Sequence, residues 1–408
     1  MTCGSERKTS KIMKKRFFKV TAGIAMLAIA VFAATYAAFA SYEIKILVNG
    51  EKIETTSAPF IEDGSTLIPL RDVFEALNAS VSWNEEERFA TAVYGDTNIE
   101  IHPDSGEFIK NGIKIDLAVN PKIVNDRIMV PLRAASESFG YNVLWNGKDY
   151  TVSISSNPLI KAHFLDCGQA DSIFIELPEN RCMLIDAGES SFGKTLEDYI
   201  KQKGYSHLDF AIATHPHSDH IGSMAYILDN FTVGTFYMPE KVHTTKTFER
   251  MLDSLEKNGC RCEYIFRGSV ICDEEYTLNV LSPEKKDYIR MNDYSAVVRL
   301  SYNDISMLFS ADAEANAEED MVKSGVLEET DILKAGHHGS PTSSTKNYID
   351  ALNPKTVVIS VGEGNMYGFP SPLVLKQFEL IGAEVYRTDI HKTVTAVTDG
   401  YIYVMECE

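Results

Sequence analysis

The chain has 408 residues, 44% of them hydrophobic, with a formal net charge of −19 and seven cysteines. That apolar content suffices for sizeable cores and excludes a disordered chain, and the length points to two domains or more. Residues 1–40 hold seven Lys/Arg and one Glu, so the remainder carries 32 basic against 57 acidic groups, a net of −25, and no extended basic surface for gripping long nucleic acid is visible.

The first element is a cluster of Lys14, Lys15, Arg16 and Lys19 followed by an uncharged run from Val20 to Ala40. The run ends in Ala38-Phe39-Ala40 before Ser41, the small-x-small pattern of a signal peptide cleaved after Ala40. Its length of about 20 residues also suits an uncleaved membrane anchor. Either way the positive charges precede it, which places the bulk of the chain outside the cytoplasm, extracellular or at the cell surface. Cys3 precedes the run, on the wrong side for lipid attachment. Of the other six, Cys260 and Cys262 are too close to pair comfortably, and no disulfide framework is expected.

Residues 43–156 contain a repeat at an offset of 62: TLIPLRDVFEALNASVSWN from Thr66 and IMVPLRAASESFGYNVLWN from Ile128. Each unit reads as a short apolar strand, a helix opened by Pro69 or Pro131, a turn, and a strand ending in Trp-Asn at Trp83 or Trp145. Two such units can share one small core, held together by Arg71, Arg133 and the tryptophans. The doubled PLR...W pattern resembles the copper amine oxidase N-terminal-like, or stalk, domain of exported bacterial proteins. With a single histidine, His102, and no cysteine, a copper site is not expected. A cell-wall or surface contact is the partner this segment would offer.

From Ile160 apolar strands alternate with glycine turns and helices. Strands are expected near His163–Asp166, Ser172–Leu177, to Asp186, and from Phe210 to Thr214. Helices are expected near Lys194–Gly204, Ser223–Asp229, Thr245–Asn258, Glu314–Lys323, Ser344–Leu352 and Pro372–Ile381. The strand ending at Thr214 runs into HPHSDH, His215 to His220. Neighbouring histidines are poor core material. Their spacing can feed two metal ions, one from His215 and His217, the other from Asp219 and His220.

HxHxDH is the signature of the metallo-β-lactamase superfamily, and further segments match its motifs in order. The pattern FLDxGQxDS...LIDAG, HPHSDH, NxxS, SADAE and LKxGHHGS resembles the hydrolase domain at the C-terminus of the ComEC DNA-uptake channel, over about 240 residues to Glu408. The resemblance implies an α+β fold in which residues 160–408 form a four-layer αββα sandwich behind the smaller N-terminal α+β repeat domain. It implies that Asp186 orients ligand histidines, that Asp312 bridges two metals, and that one of His337 and His338 is the last ligand, His338 by motif, with His337 facing substrate. The histidine usual before the strand leading to Asp312 is absent. Asn292 or Asp293, or water, would complete that shell, and His243 comes too early in the chain to do so.

Two divalent ions are thus expected, zinc first and manganese second, since the first site has more oxygen than usual. They would lower the pKa of a shared water toward about 7, with Asp219 orienting or deprotonating it. Lys334, Ser295 and Ser340 are placed by motif, with His337 and Asn292, to face a leaving group or phosphate oxygen. Ser340 and Ser295 could equally only close turns, and Lys334 could be a solvated strand residue. The substrate expected is an anionic phosphodiester, the activity that of an exported phosphodiesterase or nuclease. Alternatives are a phosphorylcholine esterase or lactonase-like hydrolase of the same fold, or a cell-surface binding module with an inert site. Ala170 and Phe369 stand where the family usually has glycine and histidine, which puts substrate contacts in doubt.

Overall fold

The computed structural model describes residues 43–408; the run Val20–Ala40 and the junction Ala40–Ser41 lie outside the described residues. In the N-terminal part, strand Ser65–Pro69 runs into helix Leu70–Ala76 and then strand Ser80–Asn84. Arg127–Pro131, Leu132–Ser138 and Asn142–Asn146 repeat this order. Pro69 and Pro131 cap the two helices, where proline's missing N–H has no helical partner to lose. The strands Ser65–Pro69 and Arg127–Pro131 pair antiparallel, so that Ile68 faces Val130, its counterpart in the other repeat. Both helices bury their apolar faces in one core, in which Phe74 and Phe139 meet edge to face at 5.1 Å.

Trp83 and Trp145 are half-buried against that core. The two arginines differ. Arg133 donates to the Val143 carbonyl at 2.8 Å, across the unit. Arg71 is exposed, with Glu75 one helical turn away at 3.6 Å, so the expectation that it binds the repeat together is corrected. His102 stacks on Phe89 at 4.8 Å.

The C-terminal part is two sheets packed face to face. One has eight strands, in the order Cys262–Tyr264, Thr232–Met238, His207–Ile212, Arg181–Ala187, Ser172–Leu177, Ile160–Phe164, Val394–Thr398 and Tyr403–Cys407. The other has seven, from Val270–Asp273 through Thr277–Ser282, Val297–Tyr302, Ile305–Phe309, Ile332–Lys334 and Thr356–Ile359 to Glu384–Arg387. Three apolar cores separate four layers. The central one interleaves Phe164, Ile173, Met183, Val298, Met307 and Phe309 between the sheets. An outer one seats helices Gly193–Gln202, Met224–Asn230 and Lys246–Lys257 on the eight-stranded sheet. The other seats Ala315–Ser324, Lys346–Leu352 and Pro372–Leu380 on the seven-stranded sheet. The fold is therefore the α+β, four-layer αββα sandwich that the resemblance implied for residues 160–408.

Lys148 pairs with Glu384 and donates to Tyr386 Oη at 3.2 Å, joining the repeat region to the sandwich. Asn157 donates to the Asp399 carbonyl at 3.1 Å at the junction. The six described cysteines are unpaired.

Candidate metal centre

The strands Arg181–Ala187 and His207–Ile212 are parallel neighbours, as are Ile305–Phe309, Ile332–Lys334 and Thr356–Ile359. Their carboxyl ends meet at one edge of the sandwich, where open α/β sheets place ligands. The chain leaves His207–Ile212 two residues before the expected end, because Thr214 turns to donate its N–H and hydroxyl to Asp186, at 2.8 and 2.6 Å. His215 follows, and His217 opens the one-turn helix Ser218–Ile221, which carries Asp219 and His220. Asp186, Ala311, His337 and His338 all have positive φ, a strain that side-chain-bearing residues sustain where surrounding structure over-determines them, commonly at functional sites.

One ligand atom each from Asp219, His220, Asp312 and His338 lies within 4.8 Å of the others. His220 Nε2 is 3.3 Å from Asp312 Oδ1, and His338 Nε2 is 3.5 Å from Asp219 Oδ2 and 3.7 Å from Asp312 Oδ1. His220 Nε2, His338 Nε2 and Asp312 Oδ1 are buried without a hydrogen-bond partner among the described residues. Three buried polar atoms aimed at one point, each unpaired, fit a cation that would satisfy all of them. On the other side of Asp312, His215 Nε2 lies 3.9 Å from Oδ2 and 3.1 Å from His217 Nδ1. Those three residues could hold a second cation.

The far nitrogens are tied down. His220 Nδ1 meets Asp186 Oδ2 at 2.7 Å, and His338 Nδ1 meets the Ser360 carbonyl at 3.0 Å and Asp171 Oδ1 at 3.3 Å. These contacts point each Nε2 at the centre and strengthen it as a donor of its lone pair. Burial pushes the Asp312 carboxyl up, but facing His220 and His338 outweigh this and hold it well below the usual range. Burial likewise opposes charge on His338, yet Asp312 and Asp171 raise it to about 9. His220 is raised well above its ordinary value by Asp312, Asp186 and Asp219 against the same burial. Burial, then His220, hold His215 well below. The cavity is an anionic cage that attracts positive charge, whether proton or metal.

Several expected residues stand elsewhere. Asp293 is turned away: its carboxylate accepts from the Ala317 N–H at 3.2 Å and Asn316 Nδ2 at 3.0 Å, at the start of helix Ala315–Ser324. Asn292 donates to Glu314 at 3.2 Å and leaves its buried Oδ1 without a partner, so of the two it alone offers an oxygen. Lys334 is 0% exposed and ion-paired with Asp171 beneath the histidines, which corrects its assignment as a catalytic, substrate-facing group. Ser295 is buried and accepts the Asp312 backbone N–H at 3.3 Å; Ser340 is buried and bonded to Thr342 at 2.9 Å. Neither faces substrate. His337 does remain accessible, with Nε2 3.6 Å from Asp312 Oδ2. His243 comes within ring contact of His217, 6.1 Å between centroids, nearer than its place in the chain suggests.

Four residues escaped the sequence reading. Asp171, from the turn before Ser172, joins Lys334 to His338. Glu314 lies 3.3 Å from His337 Nδ1 and is itself held by Arg290 at 2.6 Å, while Thr342 meets the same His337 nitrogen at 3.1 Å. Asp171 lay inside the quoted GQxDS motif and Glu314 inside SADAE, so both were visible without a role.

Residues 165–363 match the metallo-beta-lactamase superfamily and residues 47–154 the copper amine oxidase N-terminal domain. The chain carries a metallo-beta-lactamase domain. Before it stands a copper amine oxidase N-terminal domain, as the doubled PLR...W pattern implied. ComE operon protein 3 of Bacillus subtilis is 31% identical over 247 residues, covering 56% of this chain and 32% of the relative. Competence protein ComA of Neisseria gonorrhoeae is 26% identical over 235 residues, covering 55% and 30%. The chain spans about a third of the length of these curated relatives. Among solved structures, the metallo-beta-lactamase fold protein YhfI of B. subtilis aligns with a TM-score of 0.41 and 11% identity, over 61% of this chain and 100% of that one. The C-terminal domain is thus similar to the ComEC-like competence proteins and belongs with the metallo-beta-lactamase superfamily, and its gathered Asp219, His220, Asp312 and His338 could hold a metal ion.

Proposed function

We propose that the protein is an exported phosphodiesterase acting on short or flexible phosphodiesters. The observation that carries this reading is the set of unpaired buried atoms, His220 Nε2, His338 Nε2 and Asp312 Oδ1, gathered beside Asp219. Asp219, His220, His338 and Asp312 would hold one divalent ion, zinc or manganese, and His215, His217 and Asp312 the other, with Asn292 Oδ1 the nearest candidate to complete it. Bound there, such ions supply Lewis acidity toward phosphoryl oxygens and make water more acidic.

The chain's own groups do the rest. Asp219, held to about 2 by His220 and His338 against burial, stays ionised and orients the attacking water by accepting its hydrogen bond. His337 gives a proton to the leaving oxygen, its ring fixed at Nδ1 by Glu314 and Thr342. A net charge of −25 beyond residue 40 repels long polyanions and favours substrates gripped at the centre alone. Export through the Val20–Ala40 segment would place this activity outside the cytoplasm, with the repeat domain contacting the wall or cell surface.

The test is metal content of residues 41–408, with hydrolysis of bis-nitrophenyl phosphate by wild type and Asp219→Ala. About two ions per chain and a rate at least about a hundredfold lower in the variant are expected. A metal-free protein that stays inactive when zinc or manganese is added would overturn the proposal, and turnover of nitrophenyl esters instead would redirect it to carboxylic esters.

A further inference from the structure

The three most exposed large hydrophobic side chains among the described residues all stand on loops beside the metal centre: Ile289 at 100%, Met366 at 91% and Val242 at 79%. Contacts join these loops around the mouth. His243, next to Val242, packs against His217, and Lys241 donates to Tyr294 Oη at 2.8 Å and reaches Asp287 at 3.9 Å. Arg290, next to Ile289, holds Glu314, which lies against His337. Phe369 packs 5.9 Å from the His337 ring, and exposed Tyr367 stacks on it at 5.6 Å, one residue after Met366.

A single exposed aliphatic residue means little, because apolar atoms cover much of any protein surface. Three on three separate loops around one site form a rim with a purpose. The charge of these loops also departs from the rest of the chain: Lys241, Lys246, Lys285, Lys286 and Arg290 stand against Glu240, Glu284, Asp287, Asp293 and Glu363. This near balance interrupts an otherwise strongly acidic molecule. Aliphatic tips beside cations on long stems are the side chains that settle at a headgroup boundary. Single-stranded nucleic acid is gripped by aromatic faces, and of the exposed tips here only Tyr367 offers a ring.

We infer that the mouth of the metal centre docks on an anionic lipid surface, Ile289, Met366 and Val242 entering the headgroup region and Lys246 and Lys285 meeting lipid phosphates. This deepens the hydrolase reading, on which it rests, by naming where the phosphodiester is presented. Binding to vesicles needs no turnover, so the two ideas fail separately.

Residues 41–408 contain every core described above and are the chain to test. Sedimentation with phosphatidylcholine vesicles containing about 30% phosphatidylglycerol would be compared for wild type, a Val242→Ser/Ile289→Ser/Met366→Ser variant, and an Ile113→Ser/Tyr264→Ser/Val270→Ser control on other surfaces. Wild type and control should bind, more weakly as salt rises, and the mouth variant should lose about tenfold or more while hydrolysing soluble bis-nitrophenyl phosphate as before. No vesicle binding by wild type would overturn the inference. So would a mouth variant that binds like wild type, a control that loses as much, or a rim that retains single-stranded DNA and not vesicles.

Discussion

Asp171 and Lys334 are a buried ion pair directly beneath His338. Replacing Asp171 by Ala would leave the Lys334 ammonium in the interior without its carboxylate, and the expected cost is about 3–5 kcal/mol. The double replacement Asp171→Ala/Lys334→Met should cost less than Asp171→Ala alone, since the stranded charge goes with it. Urea unfolding of the metal-free forms measures both, and a double variant no better than the single would contradict the pairing. At the same scale, protons and metals compete for His338 and His220. His338 is raised to about 9 by its carboxylate neighbours, and only the deprotonated ring ligates. Zinc affinity is therefore full above that pH and falls as pH drops below it. Chelator competition at about pH 8, 7 and 6 should show a steady loss, whereas a flat profile would contradict the assignment.

In the first turn of helix Ala315–Ser324 the Ala317 N–H donates to the carboxylate of Asp293. Asp293→Ala should cost about 1 kcal/mol, as loss of a capping acceptor does, and leave metal content unchanged. A drop in bound metal would restore Asp293 as a ligand. Elements of this kind were largely readable. The six helices expected in the C-terminal half lie within a residue or two of their places, because periodicity, Thr245 and Ser371 as N-caps, and Pro372 mark them. The one-turn helices Ser218–Ile221 and Thr388–His391 carry too few residues for a period to show. The site divided similarly. HPHSDH is contiguous and announces its chemistry, as do Asp186, Asp312 and His338 by motif. The direction of a side chain does not: Lys334, Ser295 and Ser340 sit in motifs beside the centre yet point into packing, while Glu314 reaches His337 across a turn no spacing rule describes.

Across the whole molecule the excess of 25 negative charges beyond residue 40 is spread over two domains joined by few polar contacts. Self-repulsion of that size destabilises a compact state and is screened over about 10 Å at 0.1 M salt. The melting temperature should therefore rise by a few degrees between about 10 and 200 mM sodium chloride. A fall would mean that attractive pairs outweigh repulsion, and the exposed Lys148–Glu384 pair between the domains would be the first to examine.

The ladder in which Ile68 faces Val130 has a consequence for the symmetry of the chain. A residue set opposite its own counterpart is what a symmetric homodimer produces at its axis. The paired strands of the N-terminal domain thus meet as two copies of one unit would about a two-fold axis. The symmetry stops at the tryptophan-bearing turns: the one at Trp83 faces a cleft lined by its own domain, while the one at Trp145 faces Lys355, Glu384 and Tyr386 of the sandwich.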